Sequence, residues 1–155
     1  MHNEFFNIIH HDHVKLMGLI NQLKETSNRA FAQRDELFNK MKSELLPHMR
    51  GEEKAFYPPL QQSKDTKEDA MEALEEHHIA EVSLMELDKL SKQDEFWMPK
   101  LMVFKELISH HIDEEESKIF EDARKTLSEE QMRGVIREFQ DEKEKVKGKA
   151  IAAKR

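Results

Sequence analysis

The sequence predicts an all-α protein, in which four helices form an up-down-up-down bundle and a short fifth helix follows at the C-terminal end. Two features of the composition favour this fold. Only four glycines and four prolines occur in 155 residues, so the chain has few of the tight turns that β-hairpins need. Apolar residues recur every three or four positions along most of the chain, as they do on the buried face of an amphipathic helix.

The length of 155 residues suits one domain with its own core. We expect residues 1–127 to form the bundle. Residues 128–155 are expected to form the fifth helix and a charged tail, packed on the bundle or extending from it.

The first helix is predicted at about residues 4–26, and Ser27-Asn28 is a weak break after it. The second helix is predicted from residue 31 to the two prolines at 58 and 59. Pro47 lies inside this helix and predicts a kink, because proline removes a backbone donor and crowds the preceding turn. The buried stripe of the first helix consists of Phe5, Ile9, Leu16, Ile20 and Leu23.

The third helix is predicted to begin near Asp65 or Thr66 and to run to about Leu90, with acidic residues in its first turn. Pro99 suits the first turn of a fourth helix, which ends near Lys125. The buried stripe of this helix consists of Leu101, Phe104, Ile108, Ile112 and Ile119.

The fifth helix is predicted to start at a capping box, in which Ser128 and Gln131 stand three residues apart. Its apolar side ends at Phe139. Residues 141–155 contain mostly charged side chains, with only Val146 and Ile151 as large apolar residues. Two interpretations remain open for this stretch: a solvated helical extension or frayed tail, or a contact surface.

Composition excludes several classes of function. Without cysteine, the chain has no disulfide, thiolate zinc site or iron–sulfur cluster, so any metal must bind His, Asp or Glu. A net charge of -7 argues against nucleic acid as a partner. No apolar run approaches the length that spans a bilayer, and the first residues do not resemble an export signal, so we expect a cytoplasmic protein and no membrane partner.

Histidines are concentrated on the predicted helices, and the pattern His-x-x-x-Glu occurs four times. Residues four apart on a helix point to the same side, so each pair could present an imidazole and a carboxylate to one metal ion. The four pairs are His48/Glu52, His77/Glu81, His110/Glu114 and His111/Glu115.

Position relative to the apolar stripes selects the candidate ligands. His48 continues the stripe of the second helix, and His111 continues that of the fourth, whereas His110 and Glu114 fall at its polar edge. His77 fits the buried side of the third helix better than His78 does. His10 and His11 are expected to be peripheral. The predicted inward-facing groups are His13, His48, Glu52, His77, Glu81, His111 and Glu115.

A partial internal repeat supports this choice. Residues 48–57 align without gaps on residues 111–120, which predicts two pseudo-equivalent halves. The position of His13 does not fit the predicted turn well. For His13 to lie level with His48 and Glu52, the chain should reverse near residues 31–32, about four residues after Ser27-Asn28. Either that turn is longer and later than predicted, or His13 is not part of the site.

Three buried carboxylates would be costly to bury without a compensating charge, and a bound cation supplies one. Bundle cores lined with Glu and His hold pairs of iron or manganese ions, with bridging carboxylates and terminal histidines. Four histidines and three glutamates are too many for one tetrahedral zinc ion.

Several short segments resemble the hemerythrin family, specifically its His-His-Glu cation-binding domains. They are Asp12-His13, His48-Met-Arg-Gly-Glu52-Glu53, Phe56-Tyr57-Pro58, Glu76-His77, and His111 with Glu115-Glu116. The resemblance covers about residues 4–125. It implies a non-haem centre of two iron ions, bridged by an oxide or by carboxylates, that binds O₂ or a related ligand such as peroxide or nitric oxide. By position, His13, His48, His77 and His111 would be terminal ligands, and Glu52 and Glu115 would bridge.

The chain differs from the oxygen-carrying members on the third helix, where Glu81 stands in place of a usual second histidine. An anionic ligand favours ferric iron, so Glu81 predicts a centre that oxidises readily and turns over peroxide instead of storing O₂. Whether the protein is an enzyme stays open, with a peroxidase or oxidase as the expected class. The alternatives are an iron store or donor, a sensing module, and a helical interaction protein without metal. Glu53 is left as a possible additional ligand or a support for one.

Overall fold

The computed structural model is all-helical over the residues it describes, 2–153, with side chains described for residues 2–149. This confirms the predicted fold class. The helices are α1 (His2–Lys24), α2 (Phe31–Gly51), α3 (Tyr57–Gln61), α4 (Lys67–Lys89), α5 (Trp97–Glu114), α6 (Phe120–Thr126) and α7 (Glu129–Ala153).

Short loops at residues 25–30, 62–66 and 90–96 reverse the chain between the long helices of the bundle. Buried Arg34 ties two of these loops together at one end. It donates to the Thr26 hydroxyl at 2.9 Å and to the Lys92 carbonyl oxygen at 2.7 Å. The side chain also lies over the Trp97 ring. None of the described helices is both long enough and apolar enough to cross a bilayer.

Two π-helical turns interrupt the bundle at equivalent positions of the internal repeat. One covers Glu52–Phe56 between α2 and α3, and the other covers Glu115–Ile119 between α5 and α6. Each begins at the glutamate of a His-x-x-x-Glu pair. Wider turns of this kind are frequent at functional sites, because they re-aim side chains without ending the helix.

Pro58 and Pro59 differ from the sequence expectation. The second helix does not end at Pro58 and Pro59, but continues to Gln61. Both prolines lie in the first turn of α3, directly after the π-helical turn, where a missing backbone donor costs least. Pro47 lies inside α2, which remains helical on both sides of it. Pro99 lies in the first turn of α5, as predicted.

The fifth helix is long and not short, because α7 continues from Glu129 to Ala153. Its start confirms the capping box: the Gln131 backbone donates to the Ser128 hydroxyl at 3.1 Å, and the Ser128 backbone donates to the Gln131 side chain at 2.8 Å. The helix packs against α2, α1 and the turn after α2. Its charged part continues as helix because Glu, Lys and Ala favour helix. The Ile151 side chain lies outside the described residues.

The core consists of two apolar regions separated by a polar layer. One region is rich in aromatic residues and includes Phe5, Phe56 and Phe139. The other is mainly aliphatic and includes Leu16, Leu45 and Leu84. The polar layer between them contains the buried histidines and glutamates of the candidate site.

Candidate metal centre

Six of the seven predicted site residues meet in the polar layer between the two apolar regions. Each is buried, and Glu52 and Glu115 are completely so. His13 Nε2 lies 3.1 Å from Glu115 Oε1, and His48 Nε2 lies 3.3 Å from Glu52 Oε1. On the opposite side, the Nε2 atoms of His77 and His111 lie 3.1 Å apart. The six residues are His13, His48, Glu52, His77, His111 and Glu115.

These residues form two groups of four whose donor atoms lie within 4.8 Å of one another. One group contains His13 and His48, and the other contains His77 and His111. Glu52 and Glu115 belong to both groups. Each group could hold a cation, and the two groups overlap at these two carboxylates.

Several donor atoms at this centre are buried without a hydrogen-bond partner. They are His13 Nε2, His48 Nε2, Glu115 Oε1 and both side-chain oxygens of Glu52. His13 Nε2 is close to Glu115 Oε1, but the two atoms are not aligned as a hydrogen bond. Polar atoms buried in this way cost free energy unless something binds them. The donor set therefore fits bound cations.

Four carboxylates that lie outside the two donor groups, here called the outer carboxylates, orient the four histidines. His48 Nδ1 pairs with Asp12 at 2.8 Å, and His77 Nδ1 pairs with Glu53 at 2.8 Å. His111 Nδ1 pairs with Glu76, and His13 Nδ1 pairs with Glu116, each at 2.7 Å. Each carboxylate thus supports a histidine on a neighbouring helix. Because Nδ1 is used in every case, each Nε2 is left facing the centre, as in metal sites whose histidines donate outward to carboxylates.

The electrostatics favour positive charge at the centre. Burial lowers the pKa of His48, but Glu52 and Asp12 outweigh it and raise this pKa to about 10. Burial likewise lowers the pKa of His77, while Glu52 and Glu53 raise it to about 9. Burial would raise the pKa of Glu52, yet the surrounding histidines hold it well below its usual range. Without a cation, the carboxylates therefore hold protons on the imidazoles.

Tyr57 is a site residue that the sequence reasoning missed. Its hydroxyl is completely buried, donates to Glu115 Oε2, and lies 3.2 Å from His77 Nε2 and 3.4 Å from His111 Nε2. Burial, with the charges of Glu115 and Glu52, raises the pKa of this phenol well above 10. The internal repeat contains the signal, because Tyr57 aligns with Phe120 and makes the two halves chemically different.

Glu81 does not join the centre. It is partly exposed and forms an ion pair with Arg50. The buried stripe of α4 passes from His77 to Ala80, so the residue one turn on that faces inward is Ala80. In addition, α4 runs opposite to α2 and α5, so residues after His77 approach the aliphatic region, away from Glu52 and Glu115. The prediction of peroxide turnover from Glu81 thereby loses its structural basis.

The peripheral histidines lie where the sequence predicts them. His10, His11, His78 and His110 are all exposed. His10 Nδ1 contacts Glu116 at 2.7 Å, and His110 Nε2 lies 3.5 Å from Glu76. These two histidines therefore touch the outer carboxylates and not the inner donors.

His13 lies in the centre although the first loop is not later than predicted. The loop occupies residues 25–30, so His48 is farther from it along the chain than His13 is. Side chains on a helix lean toward its N-terminus. The imidazole of His48 therefore leans back toward the loop and that of His13 leans away from it, which brings the ring centroids to 5.1 Å.

Comparison with known proteins identifies the fold and the family. A crystal structure of a hemerythrin HHE cation-binding domain-containing protein from Mycobacterium kansasii superposes with a TM-score of 0.80 at 23% sequence identity, over 95% of this chain and 89% of that one. This likeness shows the fold. A search of the curated proteins found no match. Residues 4–123 match the family described as the hemerythrin HHE cation-binding domain. The chain therefore belongs to the hemerythrin HHE cation-binding domain family.

Proposed function

We propose that the chain binds two iron ions in the polar layer and that this centre binds or reacts with a small ligand such as O₂, peroxide or nitric oxide. The observation that supports it most is the pair of four-donor groups that share Glu52 and Glu115. Two shared carboxylates suit two adjacent ions better than one, and carboxylates between helices hold iron or manganese pairs in other bundles.

The donor types are compatible with iron. The centre offers imidazole nitrogens and carboxylate oxygens, and the chain has no cysteine to provide a soft ligand. His13 and His48 would hold one ion, and His77 and His111 the other. Tyr57 would add a hard phenol oxygen at the second ion only. When bound, iron supplies redox chemistry and open coordination positions for a small ligand.

The space beside the donors limits the size of the ligand. A cavity of about 10 Å³ lies against the site histidines, and aliphatic side chains form part of its wall. This is room for about one water molecule. It is lined by, among others, Leu16, Leu45, Ala80 and Ile108. A space of this size, with partly apolar walls, suits a small ligand such as O₂ or peroxide.

The oxygen of Tyr57 affects whether the centre stores O₂. A hard anionic donor favours ferric iron, and a phenol beside an ion can supply one once its proton is displaced. We therefore expect the centre to oxidise readily and to react with peroxide, and not to carry O₂ reversibly. The alternatives are an iron store or donor and a sensing module, which need binding without turnover.

Metal analysis with spectroscopy tests the proposal. Protein made in iron-supplemented cells should contain about two irons per chain and should show near-ultraviolet charge-transfer bands. Its spectrum should change on addition of O₂ or peroxide to the reduced protein. A single tightly held zinc ion per chain would contradict the proposal. A long-lived O₂ complex that releases O₂ under vacuum would contradict the peroxide preference alone, and rapid loss of both irons to a chelator would favour the store.

A further inference from the structure

Helix α7 contacts the metal centre although it lies outside the residues that match the family. The match ends at residue 123, and α7 begins at Glu129. Lys143 on α7 donates to Asp12 Oδ2 at 2.7 Å, and the same oxygen accepts from His48 Nδ1 at 2.8 Å. One carboxylate oxygen therefore connects α7 to a predicted ligand.

A second contact reaches the same histidine. The Phe139 ring lies edge-on to the His48 ring, with centroids 5.8 Å apart. Gly51 makes this approach possible, because a Cβ atom there would lie 2.6 Å from Phe139 Cδ2. The aromatic contact and the ion pair both act on His48, from the side of the bundle on which α7 packs.

The ion pair also fixes the position of the supporting carboxylate. Lys143 and Asp12 are both largely shielded from water, with side chains 17% exposed, and their charged atoms lie 2.7 Å apart. The carboxylate therefore has little freedom to rotate away from His48 Nδ1.

The other three supporting carboxylates have partners from within the bundle. Glu53 pairs with Arg50 on α2 at 2.9 Å, Glu116 with His10 on α1, and Glu76 with His110 on α5. Asp12 is thus the supporting carboxylate that α7 anchors. Its histidine belongs to the group of His13 and His48 and not to the group of His77 and His111.

We infer that Lys143 is a positioning residue by which α7 retains one of the two cations, the one held by His13 and His48. Lys143 fixes Asp12, Asp12 fixes the ring of His48, and Phe139 keeps water from that ring. The other cation does not depend on α7 in this way. The inference rests on the proposed function, since it requires two cation positions.

Release of Fe²⁺ to a chelator under anaerobic conditions tests the inference on the intact chain. Lys143→Met should release one of the two ions about 10-fold faster than the wild type. This is the lower end of the roughly 10- to 100-fold loss of metal affinity that follows when a residue supporting a ligand is mutated. Lys145→Met is the matched control, because Lys145 is exposed on the same helix and the charge change is identical. Lys143→Arg should restore slow release. Gly51→Ala, which pushes Phe139 away, should also accelerate the release of one ion.

A double variant identifies which ion is affected. Glu76→Gln weakens the support of His111 and should accelerate the other ion. The double variant Lys143→Met/Glu76→Gln should then release both ions quickly. If both substitutions acted on the same ion, the double variant would still release the other ion slowly. Equal release from Lys143→Met and Lys145→Met, or one slow ion in the double variant, overturns the inference and leaves the two-ion centre intact. A wild type that binds fewer than two ions overturns both.

Discussion

Loading of the centre should release protons, because a cation has to displace those that the buried histidines hold. The pKa of His48 is about 10 and that of His77 about 9, so both imidazoles are protonated at pH 7 without a cation. We expect at least two protons per chain to be released on loading at pH 7. For each proton released, the apparent affinity for the cation increases about 10-fold per pH unit. Release of two protons therefore increases this affinity about 100-fold per pH unit.

The same pKa shifts determine whether the stability of the ion-free protein rises or falls with pH. Both pKa values lie above the value near 6.5 of an unfolded chain, so the ion-free fold binds the extra protons. This stabilisation is complete below about pH 6.5 and is lost as the pH rises through about 9 to 10. The loaded protein should behave oppositely, since its ions bind more tightly at higher pH. The difference in Tm between loaded and ion-free protein should therefore increase with pH.

Calorimetry in two buffers with different ionisation enthalpies measures the protons released. The matched variants are His77→Gln and His78→Gln, which change neighbouring histidines of opposite burial. His77→Gln should release at least one proton fewer than the wild type, and His78→Gln should release the same number. Loading of the wild type without proton release, or equal release from the two variants, would refute the reasoning.

Three further predictions follow from the placement of single side chains. Glu52→Gln should reduce bound iron from about two ions to fewer than one, because Glu52 belongs to both groups, whereas Glu81→Gln should keep both ions; equal iron content by metal analysis would contradict this. Tyr57→Phe should keep two irons but lose any phenolate-to-iron absorption in the visible spectrum, and an unchanged spectrum would show that the phenol is not a ligand. Phe104→Ala should lower the free energy of unfolding by about 3–5 kcal/mol in urea titrations without altering iron content, since Phe104 is completely buried in the aliphatic region; a loss below about 1 kcal/mol would contradict that packing.

The helices and the inner histidines could be predicted because both depend on periodicity. Residues that continue an apolar stripe face the core whatever the details of packing, and this placed His13, His48, His77 and His111 correctly in the interior. Glu81 shows the limit of the method. A stripe can continue at either the third or the fourth residue, and the sequence does not show that α4 continues at Ala80.

Glu53 was among the candidates for a supporting role, but the partners of the outer carboxylates could not be predicted because each supports a histidine on another helix. Asp12, Glu53, Glu76 and Glu116 stand next to ligands in the sequence, yet each contacts a different ligand. The role of Lys143 depends likewise on how α7 packs, which its charged sequence does not reveal. Tyr57 could have been predicted, because the internal repeat aligns it with Phe120, which has no hydroxyl.

Anomalous diffraction from crystals of the iron-loaded protein would test the two-ion centre most directly. We predict two iron peaks, about 3.5–4 Å apart, between Glu52 and Glu115, with one next to His13 and the other next to His77. A single peak, or iron bound outside the polar layer, would contradict the account.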